Sequence, residues 1–189
     1  MTFYKDEKMA ILIDGANFYG VTKTLDFEVD YKQMLHWAQE QSQLVRAYYL
    51  TTLLEDADFS PLRPLIDWLD YNGFTVVTKK AREFTDGYGN SKIKGTIDVD
   101  LTITALKIAD SVDHIVLFTG DGTYTSLVAA LQEKGVRVSV VSSLESSPPM
   151  ISDELRRQAD NFIEILDLIR QFERDDAGED QELQQIING

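Results

Sequence analysis

Three aspartates stand where an apolar run or a turn-rich stretch gives way to the next element. Asp14 follows the run MAILI (residues 9–13), and Asp121 follows HIVLF (residues 114–118) after Thr119-Gly120. Asp98 opens a helical stretch behind a glycine-rich segment, within KGTIDVD. A helix start tolerates an acid well, because the positive end of the helix dipole faces it. Carboxylates gathered at one place repel one another unless a cation binds among them. Their shared chemistry would be metal binding, with the metal activating water and clamping a phosphate. The competing explanation is ordinary: Asp after a strand caps helices, and Asp-Gly is a common turn. There are no cysteines and only two histidines, His36 and His114. Any metal would therefore be held mostly by oxygen, which favours Mg²⁺ or Mn²⁺.

The elements that must position these acids follow from hydrophobic patterning. Apolar or β-branched runs at 9–13, 45–53, 74–79, 114–118 and 136–141 read as five strands. Asp30 N-caps a helix through about Gln41, with Met34, Leu35, Trp37 and Ala38 on its apolar side. Pro61 opens a helix closed by Asn72-Gly73. The stretch 85–95, with three glycines, reads as a loop or hairpin. Helices follow to about Ala109 and over about 124–134. After Ser146-Ser147-Pro148-Pro149, Ser152 starts a last helix, in which Leu155, Ala159, Phe162, Ile163, Leu166 and Ile169 recur at helical spacing.

Strands alternating with helices predict an α/β domain, a Rossmann-like three-layer arrangement around a mostly parallel five-stranded sheet. Ligands in such sheets bind outside the carboxyl ends of the strands, where the strand order switches. The domain spans residues 1–174, and 175–189 is an acidic C-terminal tail.

Charge bears on the partner. The 189-residue chain carries a formal net charge of −14, which is awkward for nucleic acid. Residues 79–94 depart from that average: Lys79, Lys80, Arg82, Lys92 and Lys94 oppose only Glu83 and Asp86. Phe84 and Tyr88 lie among these cations, an interleaving that suits single-stranded RNA as well as simple loop packing. Trp37, Trp68, Tyr48 and Tyr49 read as core. No apolar run reaches the roughly 20 residues needed to span a bilayer. The start, MTFYKDEKMA, lacks the order of a signal peptide. These features predict a cytoplasmic protein with no membrane partner.

The segments IDGAN (Ile13 to Asn17), KGTIDVDLTITAL (Lys94 to Leu106) and TGDGTYTSL (Thr119 to Leu127) resemble the three motifs of NYN domains in their LabA-like branch. NYN domains belong to the PIN-like nuclease superfamily. LRRQADNFIEI (Leu155 to Ile165) is similar to that branch's closing helix. The resemblance covers about residues 9–170. It implies a metal-dependent endoribonuclease-type site, with Asp14, Asp98 and Asp121 as catalytic acids and metal ligands. It places Asn17 on the motif asparagine that orients a ligand or carboxylate. Lys94, in the Lys-Gly before the second acid, is placed at phosphate. With Lys80, Arg82 and Lys92 it makes up the expected RNA contact.

Two departures from the family pattern matter. The third motif usually reads Ser-Gly-Asp-x-Asp-Phe, and here it is Thr119-Gly120-Asp121-Gly122-Thr123-Tyr124. An Asp common on the second motif's helix is Thr104. Asp100 is a candidate to compensate for these losses, although at two residues from Asp98 a helical path points it elsewhere. Two function readings result: a metal-dependent ribonuclease, weakened by these losses, and a catalytically inactive RNA-binding or regulatory module. A phosphatase-like reading ranks last, because Ala16 occupies the place of its second aspartate. A homodimer is left open.

Overall fold

The computed structural model describes residues 3–54, 62–85 and 91–168, leaving aside the side chains of 54, 82–85 and 91–94. The acidic tail expected over 175–189 lies outside the described residues. In chain order the elements are β1 (Lys8–Asp14), α1 (Gly15–Leu25), α2 (Tyr31–Gln41), β2 (Gln43–Leu54), α3 (Arg63–Tyr71), β3 (Phe74–Thr85), β4 (Ser91–Lys94), α4 (Asp98–Ile108), β5 (His114–Phe118), α5 (Thr125–Glu133), β6 (Arg137–Ser142), α6 (Asp153–Gln158) and β7 (Asn161–Glu164).

These form an α/β domain around one sheet of order β4-β3-β2-β1-β5-β6-β7. All neighbours pair in parallel except β3 and β4, which are antiparallel. The chain runs outward from β1 to β4, then returns to place β5 on the other side of β1. The switch in strand order therefore falls between β1 and β5, where Ile13 pairs with Phe118. β5 ends there at Phe118 and β1 one residue later at Asp14, so Asp14 and Thr119 carry the chain onward from the same edge.

Alternation along β1 divides the core. Met9, Ile11 and Ile13 pack on one face with Phe18 and Val21 of α1 and with Met34, Trp37 and Ala38 of α2. Ala10 and Leu12 pack on the other with Leu101 and Ala105 of α4 and with Leu127, Val128 and Leu131 of α5. Burial on both faces is why β1 and β5 read as unbroken apolar runs rather than alternating ones.

The sheet has seven strands where the sequence predicts five, and the two additions have separate causes. β4 turns the glycine-rich stretch into a hairpin on β3, pairing Arg82 with Lys94. β7 replaces the second half of the expected last helix. The chain is helical only to Gln158, and Ala159 takes an extended conformation, with φ −62 and ψ 144. Asp160 then exchanges bonds with Val138: its backbone N–H donates to the Val138 carbonyl at 3.0 Å, and its Oδ2 accepts from the Val138 N–H at 2.7 Å. These bonds start the pairing with β6 that continues from Ser139–Asn161 to Ser142–Glu164. An otherwise open sheet edge outweighs the helical spacing of Phe162 and Ile163. The closing helix implied by the family resemblance is thus a one-and-a-half-turn helix followed by a strand.

Helix α1 has no counterpart in the sequence reading, and Trp68, expected in the core, is 39% exposed.

Candidate functional site

Asp14 is the last residue of β1 and the N-cap of α1; its Oδ1 accepts the Asn17 N–H at 3.2 Å. That is the ordinary capping role, but Asp14 is only 6% exposed and does more. Its Oδ2 accepts from the Thr119 hydroxyl at 3.3 Å and from the Tyr124 hydroxyl at 3.4 Å. Asp98 is the first residue of α4, half-buried, and its Oδ1 accepts the same Tyr124 hydroxyl at 3.2 Å. One phenol on the third motif thus faces the acids of the first two.

Asp121 is exposed and turned onto its own backbone: its Oδ1 accepts the Thr123 N–H at 2.8 Å, capping a 3₁₀ turn over Gly122–Tyr124. It joins the others through Thr119, whose hydroxyl accepts the Asp121 N–H at 3.2 Å while donating to Asp14. Asn17 ties the first motif to the third, its side-chain oxygen accepting the Gly120 N–H at 2.9 Å. Gly120 is required there by a close approach. A Cβ on it would lie 1.6 Å from the Met150 carbonyl oxygen, and Ser152 donates its N–H to the Gly120 carbonyl at 2.9 Å.

The electrostatics follow from this crowding. Burial raises the pKa of Asp14 above the usual carboxylate value, and the charges of Asp98 and Asp121 raise it further. The Asn17 N–H and the Thr119 hydroxyl oppose that shift. Burial, then the charges of Asp14 and Asp98, push the Tyr124 phenol far upward, so it stays protonated and acts as a donor.

All the candidate ligands are oxygen, as a hard divalent cation requires. Their mutual repulsion is the kind a cation would relieve. They are not drawn into a finished cage: among the described residues, no group of three or more Asp, Glu or His side chains is arranged to hold a metal ion. The donors fit such an ion in chemistry, and Asp14 and Asp98 face one common point, the Tyr124 hydroxyl.

The basic residues rise from the same edge of the sheet. Lys79 and Lys80 pair with Thr52 and Leu53 of β2, beyond the level where Asp14 pairs with Leu50. Lys79 is tied to Asp100 at 2.7 Å, so this acid is engaged by a cation of β3. Lys80 is exposed. The side chains of Arg82, Phe84, Lys92 and Lys94, and Tyr88 altogether, lie outside the described residues. Thr104 does not replace a missing acid: its hydroxyl donates to the Asp100 carbonyl at 2.7 Å, within its own helix. His36 is an exposed helix residue 3.4 Å from Glu40. The residues that the sequence reading did not assign to the site are Thr119 and Tyr124.

The NYN domain family profile matches residues 8–167. The chain is 30% identical over 173 residues to the Low amplitude and bright protein LabA of Synechococcus elongatus, covering 89% of each chain. It is also similar to the crystal structure of a protein of unknown function from Vibrio parahaemolyticus. There the TM-score is 0.72 and the identity 29%, over 92% of this chain and all of the other. Among the described residues, no helix is long and apolar enough to cross a membrane.

Proposed function

The chain belongs to the NYN domain family, in the LabA-like branch of the PIN-like nucleases, and from that premise we propose that it is a metal-dependent, endoribonuclease-type domain that hydrolyses RNA phosphodiesters in the cytoplasm. The observation that supports this is the convergence of Asp14 and Asp98 on the Tyr124 hydroxyl, with the Asp121 backbone tied to Asp14 through Thr119, at the switch point of the sheet. Asp14 and Asp98, with Asp121, would hold Mg²⁺ or Mn²⁺. When bound, that ion would supply an activated water and positive charge at the scissile phosphate.

The chain's own residues do the rest. Asn17 and Thr119 keep the first and third motifs in register, so Asp14 keeps its aim. Lys80, Arg82, Lys92 and Lys94 supply the cations that let RNA approach a strongly acidic protein. A specific observation favours the second reading, an inactive RNA-binding or regulatory module. Thr104 is bonded to its own helix and Asp100 is paired with Lys79, so neither of these two positions adds a carboxylate to the three.

One experiment separates the two readings. Cleavage of single-stranded and structured RNA is measured with Mg²⁺ and Mn²⁺, on the native chain and on Asp14→Asn. RNA binding across a salt series is measured on the native chain and on a Lys92→Glu/Lys94→Glu variant. Metal-dependent cleavage lost in Asp14→Asn supports the nuclease. Binding without cleavage, weakened and with a flatter salt slope in the double variant, supports the module. RNA affinity and salt slope that ignore the double variant would remove the basic hairpin from both accounts.

A further inference from the structure

Tyr124 ends the third motif where NYN domains usually carry phenylalanine. Its ring is core: it is 1% exposed and packs in the cluster that includes Leu12, Leu101 and Leu127. A phenylalanine would fill the same place. What tyrosine adds is one hydroxyl, and that hydroxyl stands 3.4 Å from Asp14 Oδ2 and 3.2 Å from Asp98 Oδ1. It carries a single hydrogen, shared between two carboxylates. Each separation is longer than a strong charge-assisted bond, as a shared donor would be.

We propose that the Tyr124 hydroxyl is a built-in occupant of the place a cation would take between Asp14 and Asp98, and that it weakens divalent-cation binding in this chain. The inference rests on the metal-site reading above and concerns its regulation. Affinity is the difference between the loaded and the empty site. A donor that satisfies the two acids when no metal is present stabilises the empty site alone. The buried ring leaves the hydroxyl little freedom to swing aside. A cation pulling the two carboxylates toward itself takes their oxygens from the phenol and leaves a buried hydroxyl to be satisfied otherwise. Loading therefore requires a higher cation concentration than it would with phenylalanine.

The test is Mn²⁺ and Mg²⁺ binding to the full chain by calorimetry, with the cation-dependent rise in melting temperature as an independent readout. The variants are Tyr124→Phe, Tyr124→Leu as a second hydroxyl-free form, and Asp14→Asn. Melting in chelator reports whether each variant is folded. The expected result is binding tighter by about threefold to tenfold in Tyr124→Phe, the span that one net hydrogen bond represents. Equal affinity in the native chain and Tyr124→Phe, with loss in Asp14→Asn, would overturn the inference while leaving the metal site standing. Weaker binding in Tyr124→Phe would also overturn it, by making the hydroxyl a helper of the loaded site. Absence of binding by every form at millimolar cation would remove the metal reading and this inference with it.

Discussion

The two ends of the central strands both bury titratable groups, and they treat them in opposite ways. At the amino end, His114 is fully buried; its Nδ1 accepts from Arg137 Nη2 at 3.2 Å and its Nε2 lies 2.8 Å from the Ser139 hydroxyl. An accepting Nδ1 makes the ring neutral, with the proton on Nε2 donated to Ser139. Arg137 in turn pairs with Glu7. Donors meet acceptors and opposite charges meet. At the carboxyl end the carboxylates of Asp14 and Asp98 share one phenol, Asp14 also takes the Thr119 hydroxyl, and burial, with the charges of Asp98 and Asp121 added, raises the pKa of Asp14. A matched network serves stability. A mismatched one persists only where something other than stability selects it, and perturbed groups cluster at functional sites for that reason. Depth of burial alone does not separate them, since both ends are deep.

The largest effect comes from disrupting the carboxyl end through its backbone. In Gly120→Ala the new Cβ would lie 1.6 Å from the Met150 carbonyl oxygen, and backbone must move to admit it. A loss on the order of 3–5 kcal/mol is expected in chemical denaturation. If Gly120→Ala unfolds at the native denaturant concentration, the close contact with the segment before α6 does not hold this motif in place.

The amino end is probed by pH. Burial first, then the Arg137 charge, lower the pKa of His114 from 6.5 to about 3. The unfolded chain therefore binds this proton more readily than the native one between those values. The contribution to stability is complete above about 6.5, and it is lost as pH falls toward 3. The slope for one such group is at most about 1.4 kcal/mol per pH unit. His114→Gln removes the titration, so its stability, followed by urea denaturation from pH 7 to pH 4, should fall less steeply than that of the native chain. Parallel curves would mean that His114 titrates normally.

Much of this contrast is legible in the sequence, and what is not has physical reasons. The strand at His114–Phe118 and the helix capped by Asp30 are fixed by local pattern and appear where that pattern puts them. The adjacency of the strands ending near Asp14 and Asp121 follows from two like strand endings in an alternating α/β chain. Helix α1 is hidden because Gly15 and Gly20 dilute its helical signal; the cap from Asp14 and the burial of Phe18 and Val21 make it. β7 is hidden because its formation depends on the edge of β6, a distant partner that periodicity cannot report. Tyr124 escapes because its spacing marks it as core, which its ring is; only the hydroxyl belongs to the site. Three acids at one sheet edge could be inferred from their positions, whereas the donor facing two of them could be seen only in three dimensions.

The smallest effect is the one that best divides cap from site at Asp14. If Asp14 serves only to cap α1, Asp14→Asn should be nearly neutral or mildly destabilising, because asparagine caps about as well and keeps an oxygen for the Asn17 N–H. The crowded acids predict the opposite sign. The native pKa of Asp14 is raised above its ordinary 3.8, chiefly by burial and further by Asp98 and Asp121. Between the ordinary and the raised value the native state holds the proton more tightly than the unfolded chain. Stability then falls as pH rises through that window, and above it the ionised group is a standing cost. The substituted amide carries no charge, so in chelator at pH 7 the Asp14→Asn chain should be the more stable of the two. The gain should fade as pH falls through the raised pKa of the native carboxyl, where it takes up its proton. Added Mg²⁺ or Mn²⁺ should reverse the order, stabilising the native chain and not the variant. Thermal melts with and without cation at two pH values read all of this. A variant less stable than the native chain in chelator at pH 7 would return Asp14 to the rank of a helix cap.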